Sequence, residues 1–509
     1  MKKLNNNVGV TLIALIVTIV VLLILAGVAL NSISGGEQIV EKASEAKNST
    51  DLAGLREEVD IALSKYKGQI NTSNNLDYYL NKINNVSFQK VANDTYVVTR
   101  GSSTVTVTLD GEVVMGKTEI WDGTSVTAPE IANNEIHIYT CDELKWLEQQ
   151  VNVEHNYFDG YTVFLENDLD FGARPTSGNW ETEVNEALEW TPIGIKNSLN
   201  DKSQNDYLKA PFKGQNHTIK GIYINETTDK QGIGLFGVCD SVENLTIKNS
   251  YIKGKQYVGG IAGYVIQGTV QNCNNVNTKV IAYDNAGGIA AIVYKGTIKN
   301  CKNSGYVEAE NSTAGGVIGW AYIDSNIENC GNTGEVTSKY RTGGVVGSLE
   351  NNSIVKNSYN TGTVVGKNGG HFTGGIAGVV PVIWDYEKNA STNKSNATIE
   401  KCYNSGDVYG VQRVGGIAGC LQGGNTTVKE VYNKGKVIPS STTGSDICEI
   451  FGDINYGDNL YDKIYYLKND RNLPLYNLNP SYQQEVPITE TEDDIKSYEQ
   501  FITWIAEQE

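Results

Sequence analysis

Four of the eight cysteines recur at one position of an internal repeat, namely Cys273, Cys301, Cys330 and Cys402. Eight cysteines could form a disulfide framework, and closely spaced Cys and His pairs would indicate a metal site. Side chains at one repeat position point the same way, which favours buried thiols acting as small apolar groups over disulfides between them. The chain has no CxxC or Cys/His spacing typical of a metal site, so we expect no metal and no other cofactor.

The carboxylates and the four histidines are the other residues that could do acid/base chemistry. Catalysis or calcium binding on stacked repeats would require carboxylates at equivalent positions of neighbouring copies. When the repeats are aligned, however, Asp284 falls beside Ser312, and Glu308 falls beside Thr337. His217 fits a hydrogen-bonded structural histidine better than a catalytic one, and the chain has no nucleophile elbow, HExxH motif or phosphate loop. We therefore expect a protein that is not an enzyme.

An aromatic insertion within the repeats is a candidate for binding. The interval from Gly374 to Gly415 is 41 residues, whereas the first three intervals are 28 and the fourth is 31, and the extra residues include Trp384, Asp385 and Tyr386. Insertions in repeat proteins emerge as loops on one face, which is often the binding face. These three residues form the candidate ligand-contact loop, which could stack on a sugar ring or anchor a protein. The alternative is that Trp384 folds back over its own repeat.

The repeat that positions these residues is marked by paired glycines followed by small and apolar residues. Copies begin at Gly259, Gly287, Gly315, Gly343, Gly374 and Gly415, and the first three intervals (259 to 287 to 315 to 343) are each 28 residues. Glycine disfavours helix by about 1 kcal/mol relative to alanine, whereas short β-branched runs between glycines are typical of strands and turns. So small a unit cannot bury its own apolar side chains, so the copies must stack. We interpret the region as a parallel β-helix with one copy per coil.

Three columns of the repeat test this stacking. The Val/Ile and Cys columns alternate with polar positions and should face inward. An asparagine follows each Cys position by two residues, which predicts an internal amide ladder at a turn with left-handed backbone. These asparagines are Asn275, Asn303, Asn332, Asn360, Asn404 and Asn433. A third column alternates in charge from Lys299 onward, as expected if opposite charges face each other on neighbouring coils. It reads Gln271, Lys299, Glu328, Lys356, Glu400 and Lys429.

The succession of motifs resembles bacterial surface proteins built from GLUG repeats. The resemblance covers roughly residues 137–440 and rests on three marks: the stretch from Phe212 to Gly221, Gly234-Leu235-Phe236-Gly237, and the downstream Gly-Gly-Ile-Ala-Gly units. It implies a right-handed β-helix on an extracellular surface protein. Such proteins are often linked with adhesion and sometimes accompany protease or carbohydrate-active domains.

The N-terminus and the net charge indicate where the chain acts. The net charge of −18 argues against nucleic acid as a partner. The apolar run from Val10 to Leu30 is long enough for a transmembrane helix, since about 20 residues suffice. Lys2 and Lys3 precede it, so the positive-inside rule places the remaining chain outside the cell. A cleaved signal peptide is the competing interpretation.

Residues Gly9 to Leu15 resemble the processing segment of type IV prepilins and pseudopilins. The resemblance implies cleavage after Gly9, methylation of Val10, and packing of the apolar helix within a filament. Ala14 stands where that family usually has glutamate, which normally aids subunit assembly. The departure favours a plain membrane anchor or a minor, tip-like subunit over the body of a filament.

The remaining segments complete the predicted organisation. Thr140 and Glu143 form a capping box before an apolar helix, and residues 463–467 read as the last strand. A helix at 489–504 is placed to cap the open end of the solenoid. The predicted segments are a prepilin-like leader (1–9), a transmembrane helix (10–30), an amphipathic helix (31–68), a small α+β pilin-like unit (69–120), a linker (121–136), an entry segment (137–230), the GLUG-repeat β-helix (231–440), and a C-terminal strand with its capping helix (441–509).

Taken together, the fold class is mainly β, a right-handed parallel β-helix preceded by a transmembrane and amphipathic helix and a small pilin-like unit. The expected function is that of a non-catalytic, membrane-anchored cell-surface protein in adhesion, with an extracellular protein or glycan as ligand and pilus-like filament subunits as further partners. A polysaccharide-processing β-helix lyase or hydrolase is the alternative.

Overall fold

The computed structural model describes most of the chain after residue 50. The described residues are 51, 54–68, 75–92, 95–101, 103–109, 113–115, 121–175, 179–184, 188–194, 196, 205–382, 384–385, 390–391, 394–441, 445–455, 458–467, 473–478, 481 and 485–507. They divide into two compact units, with the boundary between residues 118 and 119. Gly9, Val10 and the predicted transmembrane helix 10–30 lie outside the described residues. None of the described helices is both long and apolar enough to cross a bilayer.

The first unit packs helix against an antiparallel sheet. Residues 54–67 and Leu76–Leu80 are helical, and the four strands are Ser87–Ala92, Thr95–Arg100, Ser103–Thr108 and Val113–Met115. The predicted apolar stripe does form the contact, because Leu55, Val59 and Leu63 are buried against the sheet residues Val98 and Val105. The predicted helix and antiparallel strands are therefore present, and the likeness to pilins stays a prediction.

The second unit is a solenoid of stacked parallel strands. Each repeat contributes strands to three sheets, because its glycines interrupt the β-branched runs at fixed points. An eight-stranded second sheet contains Tyr223–Asn225, Tyr251–Gly254, Lys279–Ala282, Tyr306–Ala309, Val336–Ser338, Val364–Gly366, Val408–Gly410 and Val437–Pro439. An eight-stranded third sheet contains Gln231–Ile233, Gln256–Gly259, Asn285–Gly287, Thr313–Gly315, Arg341–Gly343, Thr373–Gly374, Gln412–Gly415 and Ser445–Cys448.

The main sheet runs the length of the solenoid and holds the repeat columns. Its 27 strands are Glu130–Ala132, Glu135–Ile138, Thr162–Leu165, Leu169–Asp170, Phe212–Lys213, Thr218–Lys220, Phe236–Glu243, Thr246–Lys248, Ala262–Gln271, Asn274–Val276, Ala290–Tyr294, Thr297–Lys299, Lys302–Asn303, Ile318–Tyr322, Asn326–Glu328, Gly331–Asn332, Val346–Leu349, Ile354–Lys356, Tyr359–Asn360, Ala377–Val380, Thr398–Asn404, Ala418–Leu421, Thr427–Asn433, Phe451–Ile454, Leu460–Leu467, Tyr476–Leu478 and Ile488–Thr491. Outside the three sheets lie a two-stranded hairpin, Trp384–Asp385 with Ala390–Ser391, and the helices Cys141–Asn152, Trp180–Glu183 and Tyr498–Ala506.

One continuous hydrophobic core fills the solenoid, and it contains the Val/Ile and Cys columns as predicted. Ile298 pairs with Ile327, and Ile327 pairs with Val355, so the 28-residue repeat does set the register of the stack. The aligned pair of Glu308 and Thr337 is also present. The mainly β, parallel solenoid architecture is therefore confirmed.

Residues 121–136, which were predicted to be a linker, are part of the solenoid unit, because the first of them belongs to the solenoid core. Trp121 is buried, with its ring 5.3 Å from Phe171 and 6.4 Å from Trp190. The strand Glu130–Ala132 then pairs with Glu135–Ile138. An indole of this size buries a large apolar area once a pocket is available, and the polar residues around it concealed this in the sequence.

The entry helix Cys141–Asn152 begins as predicted. Thr140 Oγ1 accepts a hydrogen bond from the Glu143 backbone N–H, and the Glu143 carboxylate accepts one from the Thr140 N–H. Leu144, Leu147 and Val151 on one face of this helix are buried in the solenoid core.

The C-terminal helix differs in bounds and place from the prediction. The helix was expected to start at Thr489, but Ile488–Thr491 form a strand beside Leu460–Leu467, so the predicted last strand is followed by more sheet. The helix is Tyr498–Ala506, with Ser497 as its N-cap. It packs on the outward side of the main sheet instead of over the open end, because a column of tyrosines there offers an apolar surface.

Candidate functional site

The repeat columns determine which side chains reach the surface, and the innermost polar column is an amide ladder. The Nδ2 of Asn303 lies 2.8 Å from Oδ1 of Asn332, whose own Nδ2 lies 2.8 Å from Oδ1 of Asn360. The ladder extends from Asn275 to Asn433, and these side chains are buried. The second glycine of each pair makes room for it: a Cβ on Gly288 would collide with the Asn303 amide. The predicted internal ladder is therefore confirmed.

The left-handed backbone lies elsewhere than predicted. It occurs in the residue before the Cys column, with φ of 54° at Asn272, 54° at Asn300 and 55° at Asn329. Asparagine tolerates this conformation because its short side chain clashes little there. These outer asparagines make a second, exposed ladder, with Asn300 Nδ2 2.9 Å from Asn272 Oδ1. The buried asparagines two residues after the Cys column belong to strands instead.

The four repeat cysteines stack inside the solenoid as thiols. The four cysteines of this column are free thiols and are buried. Each Sγ of the column donates to the carbonyl two residues earlier, for example Cys301 to Lys299 at 3.2 Å and Cys330 to Glu328 at 3.3 Å. Burial raises the pKa of Cys301 and Cys330 well above the ordinary thiol value and that of Cys402 to about 12. Because the thiolate is the nucleophilic form, burial makes Cys301, Cys330 and Cys402 poor nucleophiles.

The charged column lies on the outer surface and pairs as predicted. Glu328 lies between two lysines, 3.7 Å from Lys299 Nζ and 3.6 Å from Lys356 Nζ. Glu400 and Lys429 are 3.1 Å apart. The acids of this column are therefore used in contacts between coils.

The histidines of the entry segment pair with carboxylates. His217 Nδ1 lies 3.1 Å from Asp168 Oδ1, which also accepts the Thr218 N–H at 2.8 Å. This is the hydrogen-bonded structural arrangement expected for His217. His137 Nδ1 lies 2.7 Å from Glu166 Oε1, and this hydrogen bond raises the pKa of His137.

Two carboxyls on the outer side of the main sheet, Glu350 and Asp453, have a pKa raised by burial. Catalytic carboxyl pairs of glycosidases are about 5–10 Å apart. The register runs from Ser348 to Val379, then Cys420, then Asp453, so Asp453 lies three coils from the Glu350 segment. Three coils span about 14 Å at the spacing of parallel strands. These two groups therefore do not form such a pair. Within the described ranges, no three His, Cys, Asp or Glu side chains group as metal ligands.

The predicted ligand-contact loop contains a short hairpin. The backbone of Trp384–Asp385 pairs antiparallel with Ala390–Ser391, and Tyr386 lies outside the described residues. The insertion therefore departs from the coil, and its contact with a ligand stays a prediction. The processing residues Gly9 and Val10 likewise stay a prediction.

Sequence reasoning missed a cleft of about 580 Å³ at the corner between the second and third sheets, here called the Tyr283 cleft. Its walls come from three successive turns of the solenoid and the start of a fourth. The lining includes Asp229, Lys253, Lys255, Tyr283, Asp284 and Glu310. A signal was available in the loop lengths: Ala282 aligns with Ala309 and Asn285 with Thr313, so the later corner has one residue more.

Comparison with known protein families identifies GLUG repeats in this chain. The GLUG motif family model matches residues 310–337 and 339–365. The protein is therefore a β-solenoid that contains GLUG repeats, as the resemblance implied.

Similarity to other proteins is more distant. No curated protein matches the sequence. A solved structure from Bacteroides ovatus, provisionally described as an immunoglobulin A1 protease, has 16% identity and a TM-score of 0.40, covering 73% of this chain and 87% of that chain. A structure described as an IgA1 protease has 14% identity and a TM-score of 0.31, covering 76% of this chain and 25% of that chain.

Proposed function

We propose that this chain is a non-catalytic, membrane-anchored surface protein whose GLUG-repeat solenoid, a right-handed β-helix, presents an interaction surface outside the cell. The observation that carries the proposal is the regular stack itself. Its outer charged residues neutralise one another between coils, as Glu328 does with Lys299 and Lys356. A rigid rod of this kind can hold a binding surface at a distance from a membrane.

The role of the rod is adhesion through an extracellular protein or glycan. The hairpin at Trp384–Asp385 and the corner that forms the Tyr283 cleft are two places where the chain departs from the regular repeat. Binding residues concentrate at such departures because a rigid scaffold positions them.

The membrane anchor is the apolar segment 10–30. If the chain is cleaved after Gly9, it acts as a minor pilin-like component. Mass spectrometry of the mature N-terminus, combined with cell fractionation, tests this part. A chain that begins at Val10 and co-purifies with filaments supports the pilin-like role. Recovery of intact Met1 in the membrane fraction supports a plain anchor. Recovery only in the soluble fraction would contradict both.

Two assays, one of cell adhesion and one of polysaccharide turnover, distinguish the binding role from the enzyme alternative. Cells that display the protein should adhere to host or microbial surfaces better than cells that lack it. The purified chain, incubated with polysaccharides, should yield no new reducing ends. Reproducible release of products would contradict the proposal and favour a lyase or hydrolase.

A further inference from the structure

The Tyr283 cleft combines one exposed ring with a polar lining. Tyr283 is 50% exposed. Among the described residues of the repeats, no other tyrosine side chain is as exposed to solvent. Lys253, Lys255, Asp284 and Glu310 line the same cleft as this ring. A ring in such a place can stack on the apolar face of a ligand while neighbouring groups hydrogen-bond its edges.

The backbone at the cleft is already occupied. The Tyr283 N–H donates to Gly254 O at 3.1 Å, and the Asp284 N–H donates to Lys255 O at 3.0 Å. Tyr283 O in turn accepts from the Asn311 N–H at 2.8 Å. Peptides that bind β-proteins by adding a strand need free backbone groups at a sheet edge. Recognition in this cleft must therefore come from side chains.

The charges of the cleft select against polyanions. Asp229 pairs with Lys255 at 3.0 Å, and Glu226 pairs with Lys230 at 2.9 Å. Asp284 and Glu310 add two more carboxylates to the lining and Lys253 adds one ammonium group, so four carboxylates face three lysines. A phosphate or uronate chain would meet this excess of negative charge. Carboxylates accept and ammonium groups donate hydrogen bonds, so together they suit the hydroxyl groups of an uncharged ligand.

The size and continuation of the cleft suit a chain-like ligand. Its volume lies within the range of about 300–1,000 Å³ typical of small-molecule sites. A second cleft of about 640 Å³ shares Asp229 with it and is lined also by Thr191, Lys196 and Gln231. Amide and hydroxyl groups thus continue the polar lining beyond the Tyr283 cleft.

We propose that the Tyr283 cleft binds a neutral, linear oligosaccharide, with the Tyr283 ring stacked on one sugar and Asp284, Glu310 and the lysines bonded to its hydroxyls. The inference rests on the proposed function of the solenoid as an interaction module. It names the ligand class and a site that differs from the Trp384 hairpin.

Calorimetric titration of the whole chain with cellopentaose, xylopentaose, mannopentaose and chitopentaose tests the proposal. We expect binding of at least one of them, and Tyr283→Ala should weaken it about tenfold or more, as for an aromatic residue at a binding hot spot. Tyr283→Phe, which keeps the ring, should retain binding within about threefold. The matched control is Tyr139→Ala, since Tyr139 is 43% exposed and lies away from the cleft.

Three outcomes would overturn the proposal. They are no binding of any neutral oligosaccharide, equal binding by the Tyr283→Ala chain, and binding only of oligogalacturonate or of decapeptides from an array. Equal binding by Tyr283→Ala would remove this site and leave the proposed function intact. Degradation of an oligosaccharide would instead contradict the proposed non-catalytic function. The effect of Tyr283→Ala on binding would still show whether the oligosaccharide binds in the Tyr283 cleft. Unchanged thermal unfolding of each variant shows that the fold is retained.

Discussion

Asn332 illustrates how a single buried amide joins three coils. It donates to Asn360 Oδ1 and to Gly334 O, both at 2.8 Å. It accepts from Asn303 Nδ2 at 2.8 Å and from the Gly334 N–H at 3.3 Å. Buried polar groups are tolerated when all their bonds are made, and each one left unmade costs about 1–3 kcal/mol. The ladder therefore fixes the register as well as contributing stability.

Asn332→Leu should lower the free energy of unfolding by about 2–4 kcal/mol, because leucine fills the space but leaves the partners on both neighbouring coils unpaired. Denaturant unfolding measures the change. Asn274→Leu is the matched control, since Asn274 faces outward and makes one long bond of 3.4 Å to Thr246. A loss for Asn332→Leu no larger than that for Asn274→Leu would show that the ladder does not hold the coils.

His137 should make stability depend on pH. Its hydrogen bond to Glu166 raises the pKa of the imidazole in the folded chain. The stabilisation is therefore fully present below the unfolded pKa of about 6.5 and disappears as pH rises through the higher folded pKa. His137→Gln should lower the melting temperature at pH 5.5 and leave it unchanged at pH 9. Because the side chain is partly solvated, we expect an effect of no more than about 1 kcal/mol.

Glu166→Gln is the matching variant, because it removes the same ion pair from the other side. Thermal unfolding across this pH range should show a smaller loss of pH dependence for Glu166→Gln than for His137→Gln, because Glu135, 3.5 Å from His137 Nε2, still raises the pKa of His137 in the former. A destabilisation by His137→Gln that is equal at pH 5.5 and pH 9 would indicate lost packing on Phe164 instead, whose ring stacks on His137 at 5.3 Å.

At the scale of elements, the C-terminal helix acts as a side clamp on the solenoid. It covers the outward column formed by Tyr359, Tyr403, Tyr432 and Tyr465, one tyrosine per coil. The Tyr403 and Tyr432 hydroxyls donate to Ile495 O and Asp493 O in the segment before the helix. Phe501 is fully buried between the helix and this column.

Phe501→Ala should detach this clamp, because removing a buried phenylalanine side chain typically costs about 3–5 kcal/mol. Hydrogen exchange should increase for residues 493–506 and for the backbone around Tyr432. Exchange around Asn303, several coils away, should stay unchanged and serves as the internal control. Equal protection of residues 493–506 in both chains would show that the helix is not held by Phe501.

The elements also show what the sequence could predict. The columns that contain Cys301 and Asn303 were predictable because each coil repeats the same residue pattern, so several copies indicate the same structure. A helix near the C-terminus was predictable from the acidic residues of its expected first turn, but its start at Tyr498 was not, and its docking surface depends on tyrosines of four earlier coils. The burial of Trp121 was not predicted because its contacts, Phe171 and Trp190, also lie far away in the sequence. The Tyr283 cleft was missed because its lining comes from positions that differ between coils.

At the scale of the molecule, the solenoid unit grows in one dimension. Each coil contacts mainly the coils before and after it, so the core lengthens without thickening. This explains how a long chain with many polar and glycine residues keeps one continuous core. It also means that every surface assignment, including the Tyr283 cleft, depends on which residues of neighbouring coils lie side by side.

Disulfide trapping between neighbouring coils tests that arrangement most directly. Lys299 and Glu328 are register partners, so their Cα atoms should be about 4.8 Å apart, within the range of about 4.4–6.8 Å that a disulfide spans. Residues Lys299 and Lys356 lie two coils apart, at about 10 Å. The native thiols are buried and do not compete. Under mild oxidation we expect a cross-link in the chain with Lys299→Cys and Glu328→Cys and none in the chain with Lys299→Cys and Lys356→Cys. A cross-link only in the second chain, or in neither, would contradict the stacking.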